Sequence, residues 1–188
     1  MITEIYIKNR PLINSLVTGL FYFIFTWSID FSEGIKGLYM LLMLFLPGIT
    51  FPLLTSYYYL PNDERTIMKI WFHIVLSVLI YHGCVWLYTG EGRVQYITLA
   101  AGAVGSLLHL LTTRYILRKQ LSLIGIVVVS ILSGLVFLPY ELQETKTSLL
   151  LATAIFLWTF INGLLLNSEY RVSNVNTAKA LYSAAPRS

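Results

Sequence analysis

The chain is poor in the residues on which membrane-embedded chemistry depends. It has one cysteine, Cys84, in 188 residues, and a single cysteine excludes an intrachain disulfide and a cysteine-based metal cluster. Cys84 is therefore predicted to be a small apolar packing residue. Charged residues make up 12% of the chain, and no Asp or Glu lies in the central part of a long apolar stretch. Because carriers driven by protons or sodium usually need an intramembrane carboxylate, this class of transporter is disfavoured.

The sequence also lacks the motifs of the common enzyme classes. It contains no glycine-rich phosphate loop, no HExxH and no GxSxG. Its serines are plentiful, but none lies in a motif that pairs a nucleophile with a base. Its basic residues are dispersed at the ends of apolar stretches, so nucleic-acid binding is not expected. We therefore predict a protein that is not an enzyme and that uses no cofactor or metal.

Long apolar stretches are what the chain has in abundance. Hydrophobic residues make up 56% of it, and they concentrate in six stretches that each approach the ~20 residues needed to cross a bilayer. The stretches are residues 12–29, 36–60, 67–88, 94–113, 121–139 and 147–167. Because no connection is long enough to fold separately, we predict an all-α, six-helix transmembrane domain over residues 12–167. It follows an N-terminal segment, 1–11, and precedes a polar tail, 168–188, with the last helix ending near Asn167.

The distribution of lysine and arginine predicts the orientation of this bundle. When alternate connections are assigned to one side, that side receives ten basic residues and the other receives three. The ten are Lys8, Arg10, Arg65, Lys69, Arg114, Arg118, Lys119, Arg171, Lys179 and Arg187, and the three are Lys36, Arg93 and Lys146. By the positive-inside rule, both termini are predicted to be cytoplasmic, in a bacterial inner (plasma) membrane. Arg65, Lys69, Arg114, Arg118 and Lys119 form a predicted basic face that offers a docking surface to a cytoplasmic protein.

Small residues in the fourth stretch predict close helix packing. Ala101 and Gly105, and likewise Gly102 and Ser106, are four residues apart, which places each pair on one face of a helix and lets a second backbone approach. The second backbone belongs either to the same chain or to another copy in a homo-oligomer. Both alternatives are compatible with the spacing.

The second stretch is interrupted by residues that bend helices. Pro47, Gly48 and Pro52 lie within it, and a proline inside a span removes a backbone donor and clashes with the preceding turn. We therefore predict a kink in this helix. The run Tyr57 to Tyr59 that follows is predicted to anchor the helix end at the membrane interface.

Four polar side chains are predicted to share the cytoplasmic third of the bundle: Asn14, His73, His109 and Asn162. His73 lies about six residues, or ~9 Å, inside its helix end. His109 lies at a similar depth on the next, antiparallel helix. One interpretation is interhelical hydrogen bonding worth ~0.6 kcal/mol per bond. The other is a polar vestibule, open to the cytoplasm, that binds a ligand or admits ions.

Three functional classes remain compatible with these patterns. The first is a structural or sensing subunit of a multi-protein inner-membrane complex, such as an envelope-assembly or antiviral-defence module, which is an analogy from protein type. The second is an oligomeric pore or channel, although no selectivity-filter sequence is present. The third is a small-molecule transporter or a substrate-binding membrane subunit. In all three the bilayer is the constant partner.

Overall fold

The regular secondary structure in the described part of the chain is all helical. The computed structural model describes residues 2–28, 47–58, 60, 63–89, 96–143 and 147–184, with side chains for residues 5–172 of these ranges except 88 and 89. Within these ranges there are eight helices and no strand. They are α1 (Ile2–Lys8), α2 (Arg10–Trp27), α3 (47–55), α4 (Glu64–Thr89), α5 (Ile97–Ile116), α6 (Leu123–Leu135), α7 (Leu138–Leu142) and α8 (Ser148–Ala184). The all-α prediction is confirmed.

Four helical stretches of the described residues are long and apolar enough to cross a membrane. They are Glu64–Leu87, Ile97–Ile116, Leu123–Leu142 and Ser148–Val172, and they overlap the last four stretches predicted from the sequence. The first predicted stretch overlaps α2, which does not meet the same criterion. The second lies partly outside the described residues, and α3 is its described part. Four candidate spans are therefore established, and six remains a prediction.

Local sequence signals explain where several helices begin. Pro11 lies in the first turn of α2, where its missing N–H costs no hydrogen bond. The Asp63 carboxylate accepts from the Thr66 backbone amide at 2.7 Å and so caps α4. This hydrogen bond lowers the pKa of the Asp63 carboxyl group. Ser122 caps α6 in the same way, by accepting from the Gly125 amide at 3.3 Å.

The first and last long helices pack closely against each other in antiparallel directions. Ser15 of α2 lies against Gly163 of α8. One turn further along α2, Gly19 lies against Thr159, which is one turn before Gly163 in α8. A methyl group at either glycine would overlap the opposing side chain. The absence of a side chain at Gly19 and Gly163 therefore permits this packing.

Several connections meet at one end of the bundle. Tyr58, after α3, donates to the Leu166 carbonyl of α8 at 2.9 Å, and Lys119, after α5, donates to the Tyr58 carbonyl at 2.6 Å. Tyr170 of α8 donates to the Ile7 carbonyl of α1 at 2.8 Å. The N-terminal segment, the two connections and the later part of α8 therefore share one end of the molecule.

The sequence predicts that the last helix ends near Asn167, and the structure shows that this prediction is wrong. Helix α8 continues to Ala184 and is 37 residues long, or ~55 Å at 1.5 Å per residue. The apolar candidate span within it ends at Val172. Residues 168–184 contain neither glycine nor proline, so nothing in the backbone stops a helix that the packed part of α8 has already nucleated.

Candidate functional site

Helix α5 carries a buried stripe of small and polar residues along its length. Its members recur every three or four residues and therefore lie on one face. They are Thr98, Ala101, Gly102, Gly105, Ser106, His109 and Thr113, all of them buried. The stripe faces α4 on one side and α6, α7 and α8 on the other, so it joins most of the bundle.

His73 of α4 is held by hydrogen bonds at both ring nitrogens and is fully buried. The Thr113 hydroxyl donates to the His109 carbonyl at 2.8 Å, so its oxygen is left to accept from His73 Nε2 at 3.0 Å. His73 Nδ1 then accepts from the Tyr57 hydroxyl at 2.8 Å. From these distances we assign the neutral tautomer with the proton on Nε2.

His109 lies beside His73, with the two ring centroids 5.6 Å apart. Its Nδ1 is 3.5 Å from the Ser77 hydroxyl, and its ring lies 5.4 Å from that of Phe51. Among the described residues, His109 Nε2 is buried with no hydrogen-bond partner. An unsatisfied buried polar group costs about 1–3 kcal/mol. The structure thus brings together the two histidines that the sequence placed at one depth.

Asn162 forms a second polar cluster, one helical turn along α5. Its Oδ1 accepts from the Ser106 hydroxyl at 2.7 Å. Its Nδ2 donates to the Ser133 hydroxyl at 3.1 Å and to the Trp158 carbonyl at 2.8 Å. The fully buried amide therefore joins α5, α6 and α8. The sequence predicts one polar layer, whereas the structure has two adjacent polar clusters that are connected by α5.

Asn14 lies apart from both clusters. It is half-buried, and its Nδ2 donates to the Leu54 carbonyl in the last turn of α3 at 2.7 Å. Its Oδ1 accepts from the Tyr6 hydroxyl at 3.3 Å. Carbonyls in the last turn of a helix lack an intrahelical partner, so Asn14 satisfies one of them and does not extend the histidine cluster.

The small residues of α5 pack against other helices of the same chain. A Cβ at Gly102 would lie 2.7 Å from the Phe137 ring and from the Ser133 carbonyl oxygen. A Cβ at Gly105 would lie 2.9 Å from Cys84 Sγ. The sequence leaves two alternatives open for this face of α5, packing within the chain or against another copy. The structure shows packing within the chain, with α4, α6 and α8 covering the face. The residues of this face are Ala101, Gly102, Gly105 and Ser106.

The predicted kink region contains a close helix contact that sequence reasoning missed. Residues 47–55 are helical, and a Cβ at Gly48 would lie only 2.6 Å from Cα of Val78 in α4. Gly48 therefore lets the backbones of α3 and α4 touch. Because residues 29–46 lie outside the described ranges, the kink at Pro47 and Pro52 stays a prediction.

The structure divides the predicted basic face. Arg65 and Arg118 are exposed, and Lys69 and Arg114 are half-buried. Lys119 is only 8% exposed, with its ammonium 3.7 Å from the Tyr58 ring centroid. Lys119 is therefore an interior residue and not part of a docking surface.

Lys119 belongs to a buried lysine cluster, made by Lys119, Tyr58, Glu169 and Tyr170. The Tyr58 hydroxyl donates to the Glu169 carboxylate, and the Tyr170 ring packs edge-on against Tyr58 at 4.7 Å. Burial lowers the pKa of Lys119, while the negative charge of Glu169 raises it. Sequence reasoning missed this cluster because it assigned Lys119 to the basic face, and nothing in the sequence indicates that Lys119 and Glu169, 50 residues apart, meet.

The chemistry available to the histidine cluster and to the Asn162 cluster is hydrogen bonding between neutral groups. Within the described ranges no three His, Cys, Asp or Glu side chains are grouped closely enough to hold a metal ion. The two histidines have hydroxyl and aromatic neighbours, which suits them to joining helices or to binding a small polar guest. No protein-family model, no curated protein and no solved structure matches this chain.

Proposed function

We propose that this chain is a non-enzymatic, structural or sensing subunit of a multi-protein complex in the bacterial inner membrane. In this proposal it crosses the membrane six times and keeps both termini in the cytoplasm. The observation that carries it is the use made of buried polar groups. Asn162 and His73 form hydrogen bonds to side chains of neighbouring helices, and the remaining Asn162 bond goes to the Trp158 carbonyl within α8. Such bonds favour a fixed arrangement of helices over catalysis.

Exposed arginines at one end of the bundle support the proposal that a cytoplasmic protein docks there. Arg65, in the first turn of α4, and Arg118, in the connection after α5, are exposed, at the end where the N-terminal segment also lies. Charges at an interface rim set the choice of partner and the rate of association more than the affinity. We infer an acidic surface on the partner.

The orientation is tested by cysteine labelling in intact cells. In a Cys84→Ala background, we expect Ser32→Cys, Glu91→Cys and Gln143→Cys to react with a membrane-impermeant reagent. Gln120→Cys, on the opposite side, should react only after the membrane is opened. The reverse pattern would overturn the proposed orientation.

Docking is tested by purifying the protein with its bound proteins from native membranes. Arg65→Glu with Arg118→Glu should lose a specific soluble partner, because the charge that attracts it is reversed. Arg93→Glu, predicted to lie on the other side, is the matched control and should retain the partner. If all variants and the parent yield no stoichiometric soluble protein, the docking proposal fails.

A ligand- or ion-binding vestibule is the second candidate, and His109 favours it. Its Nε2 is buried without a partner in the described part of the chain, which is the position that a small polar guest would occupy. If the cluster only fixes packing, His73→Asn and His109→Asn should be tolerated, because an amide retains hydrogen-bonding capacity. A compound that raises the unfolding temperature of the parent but not of His109→Asn would support the vestibule.

A further inference from the structure

The junction between α1 and α2 is fastened to α8 by one side chain. Asn9 occupies the position before α2, where an asparagine oxygen ordinarily caps the helix, but it makes no such capping bond. Instead its Oδ1 accepts from the Arg171 guanidinium and from Asn167 Nδ2. Its Nδ2 donates to the Ile5 carbonyl at 3.1 Å. Asn9 therefore binds Arg171 at a junction whose flanking residues in the sequence, Lys8 and Arg10, are also cations.

The charge gathered at this junction is positive and faces outward. Arg10 and Arg171 are exposed, whereas Glu169, two residues from Arg171, is only 6% exposed and accepts from Tyr58. Like charges brought together at a surface repel unless an anion lies between them. The fold thus turns the arginines outward and the neighbouring carboxylate inward.

Large apolar side chains are exposed at the same place. Ile5 is 51% exposed and Ile7 is 52% exposed, in the helix that immediately precedes Asn9. Exposed isoleucines beside exposed arginines suit the membrane interface, where apolar groups enter the acyl boundary and cations meet phosphates. A soluble acidic protein would satisfy the arginines but gives no reason for the exposed isoleucines beside them.

We propose that the α1–α2 junction, formed by Ile5, Ile7, Asn9, Arg10 and Arg171, binds the headgroup of an anionic phospholipid. A guanidinium donates two parallel hydrogen bonds to a phosphate, and the two exposed arginines of this junction supply the positive charge that a zwitterionic headgroup does not require. The inference rests on the proposed membrane location. On the proposed cytoplasmic side, the lipid comes from the inner leaflet.

The test measures phospholipid retained by the full-length protein in neutral detergent. Phosphatidylglycerol and phosphatidylcholine are titrated separately, and bound lipids are counted by native mass spectrometry. We expect preferential binding of phosphatidylglycerol, reduced about fivefold by Arg10→Gln and again by Arg171→Gln, since each cation near an anionic surface contributes about 1 kcal/mol. Arg93→Gln, in the predicted outer connection, removes the same charge and should change nothing.

Two further variants separate charge from position. Asn9→Ala keeps every cation but releases Arg171, so it should weaken phosphatidylglycerol binding while the net charge is unchanged. Ile5→Ser with Ile7→Ser should weaken lipid binding but not the binding of glycerol phosphate. Circular dichroism and thermal unfolding in the same detergent show whether each variant is folded. If Arg171→Gln is unfolded, Arg10→Gln alone decides the outcome.

The proposal is overturned if phosphatidylglycerol binds no better than phosphatidylcholine, or if the arginine variants retain it like the parent. It is also overturned if an acidic peptide competes equally well and the isoleucine variants bind it normally, since the surface would then serve a protein. Lipid preference in detergent does not depend on orientation. Cysteine labelling and lipid counting can therefore fail independently.

Discussion

Helices α4 and α5 are antiparallel neighbours, and both are apolar enough to span a membrane, but they are buried very differently. Within their candidate spans, 17% of α4 is buried inside the molecule, against 44% of α5. Helix α4 presents large side chains outward, including Met68, Trp71 and Trp86. Helix α5 turns small and polar residues inward. In a bilayer the large apolar side chains need no protein partner, so small and polar residues, and not hydrophobic ones, mark the buried face.

Replacing one glycine of α5 and one glycine of α4 by leucine should give the largest difference in stability between the two helices. Gly102→Leu in α5 should destabilise the fold by about 3 kcal/mol or prevent folding, because the obstructing atoms include the Ser133 carbonyl oxygen, which cannot rotate away. Gly83→Leu in α4 should be tolerated, since among the described residues no atom lies within 4 Å of a Cβ there. Unfolding by SDS in mixed micelles measures both. Equal loss in both variants would mean that α4 is also enclosed.

The same comparison shows which parts of the fold could be predicted. Long apolar runs predicted the four candidate spans, because helix length and hydropathy are local properties of the sequence. The burial of α5 was left open, because spacing identifies a face but not which helix covers it. The continuation of α8 to Ala184 was missed, because Ser, Asn and Thr are weak helix formers on their own and a packed neighbouring segment overrides that preference.

The candidate site also has one part that the sequence predicted and one part that it did not. The proximity of His73 and His109 followed from helix depth on adjacent antiparallel helices, so sequence was sufficient. The burial of Lys119 was not predictable, because it depends on the backbone of a connection. Arg118 adopts a left-handed conformation, with φ of 55°, and the two adjacent cations are exposed and buried respectively. From their charge alone, both residues were predicted to lie on the exposed basic face.

Asn162→Leu should give the second largest effect. It removes three hydrogen bonds of a fully buried side chain that joins α5 to α6 and α8. Two of these bonds are interhelical, and at ~0.6 kcal/mol for each in membranes their loss is about 1 kcal/mol. Loss of the bond to the Trp158 carbonyl within α8 adds to this. Asn14→Leu is the control, since Asn14 is half-buried and its hydrogen bonds go to Tyr6 and to the Leu54 carbonyl instead of to α5. A greater loss in Asn14→Leu would contradict the central role given to α5. Thermal unfolding in detergent ranks the two.

Thr113→Val tests the hydrogen bond between α4 and α5 directly. It removes the hydroxyl that accepts from His73 Nε2, so about 1 kcal/mol should be lost. The neighbouring Thr112 provides a matched control because its hydroxyl donates to the same His109 carbonyl at 2.8 Å and, within the described ranges, forms no hydrogen bond to α4. Thr112→Val should therefore cost less. Equal effects would assign the loss to the His109 carbonyl and not to His73.

The smallest expected effect is a gain in stability at Gly83. Alanine is a better helix former than glycine by up to about 1 kcal/mol, and in the described part of the chain no atom obstructs a methyl group at this position. Gly83→Ala should therefore be neutral or slightly stabilising in SDS unfolding. Gly105→Ala adds the same methyl group to α5, where it meets Cys84 Sγ at 2.9 Å. Because the Cys84 side chain can rotate, we expect a modest loss there, smaller than for Gly102→Leu. If Gly83→Ala were instead destabilising only in a native membrane, a second protein would have to pack on the outer face of α4, and that helix would be an interface between proteins and not a lipid-facing surface.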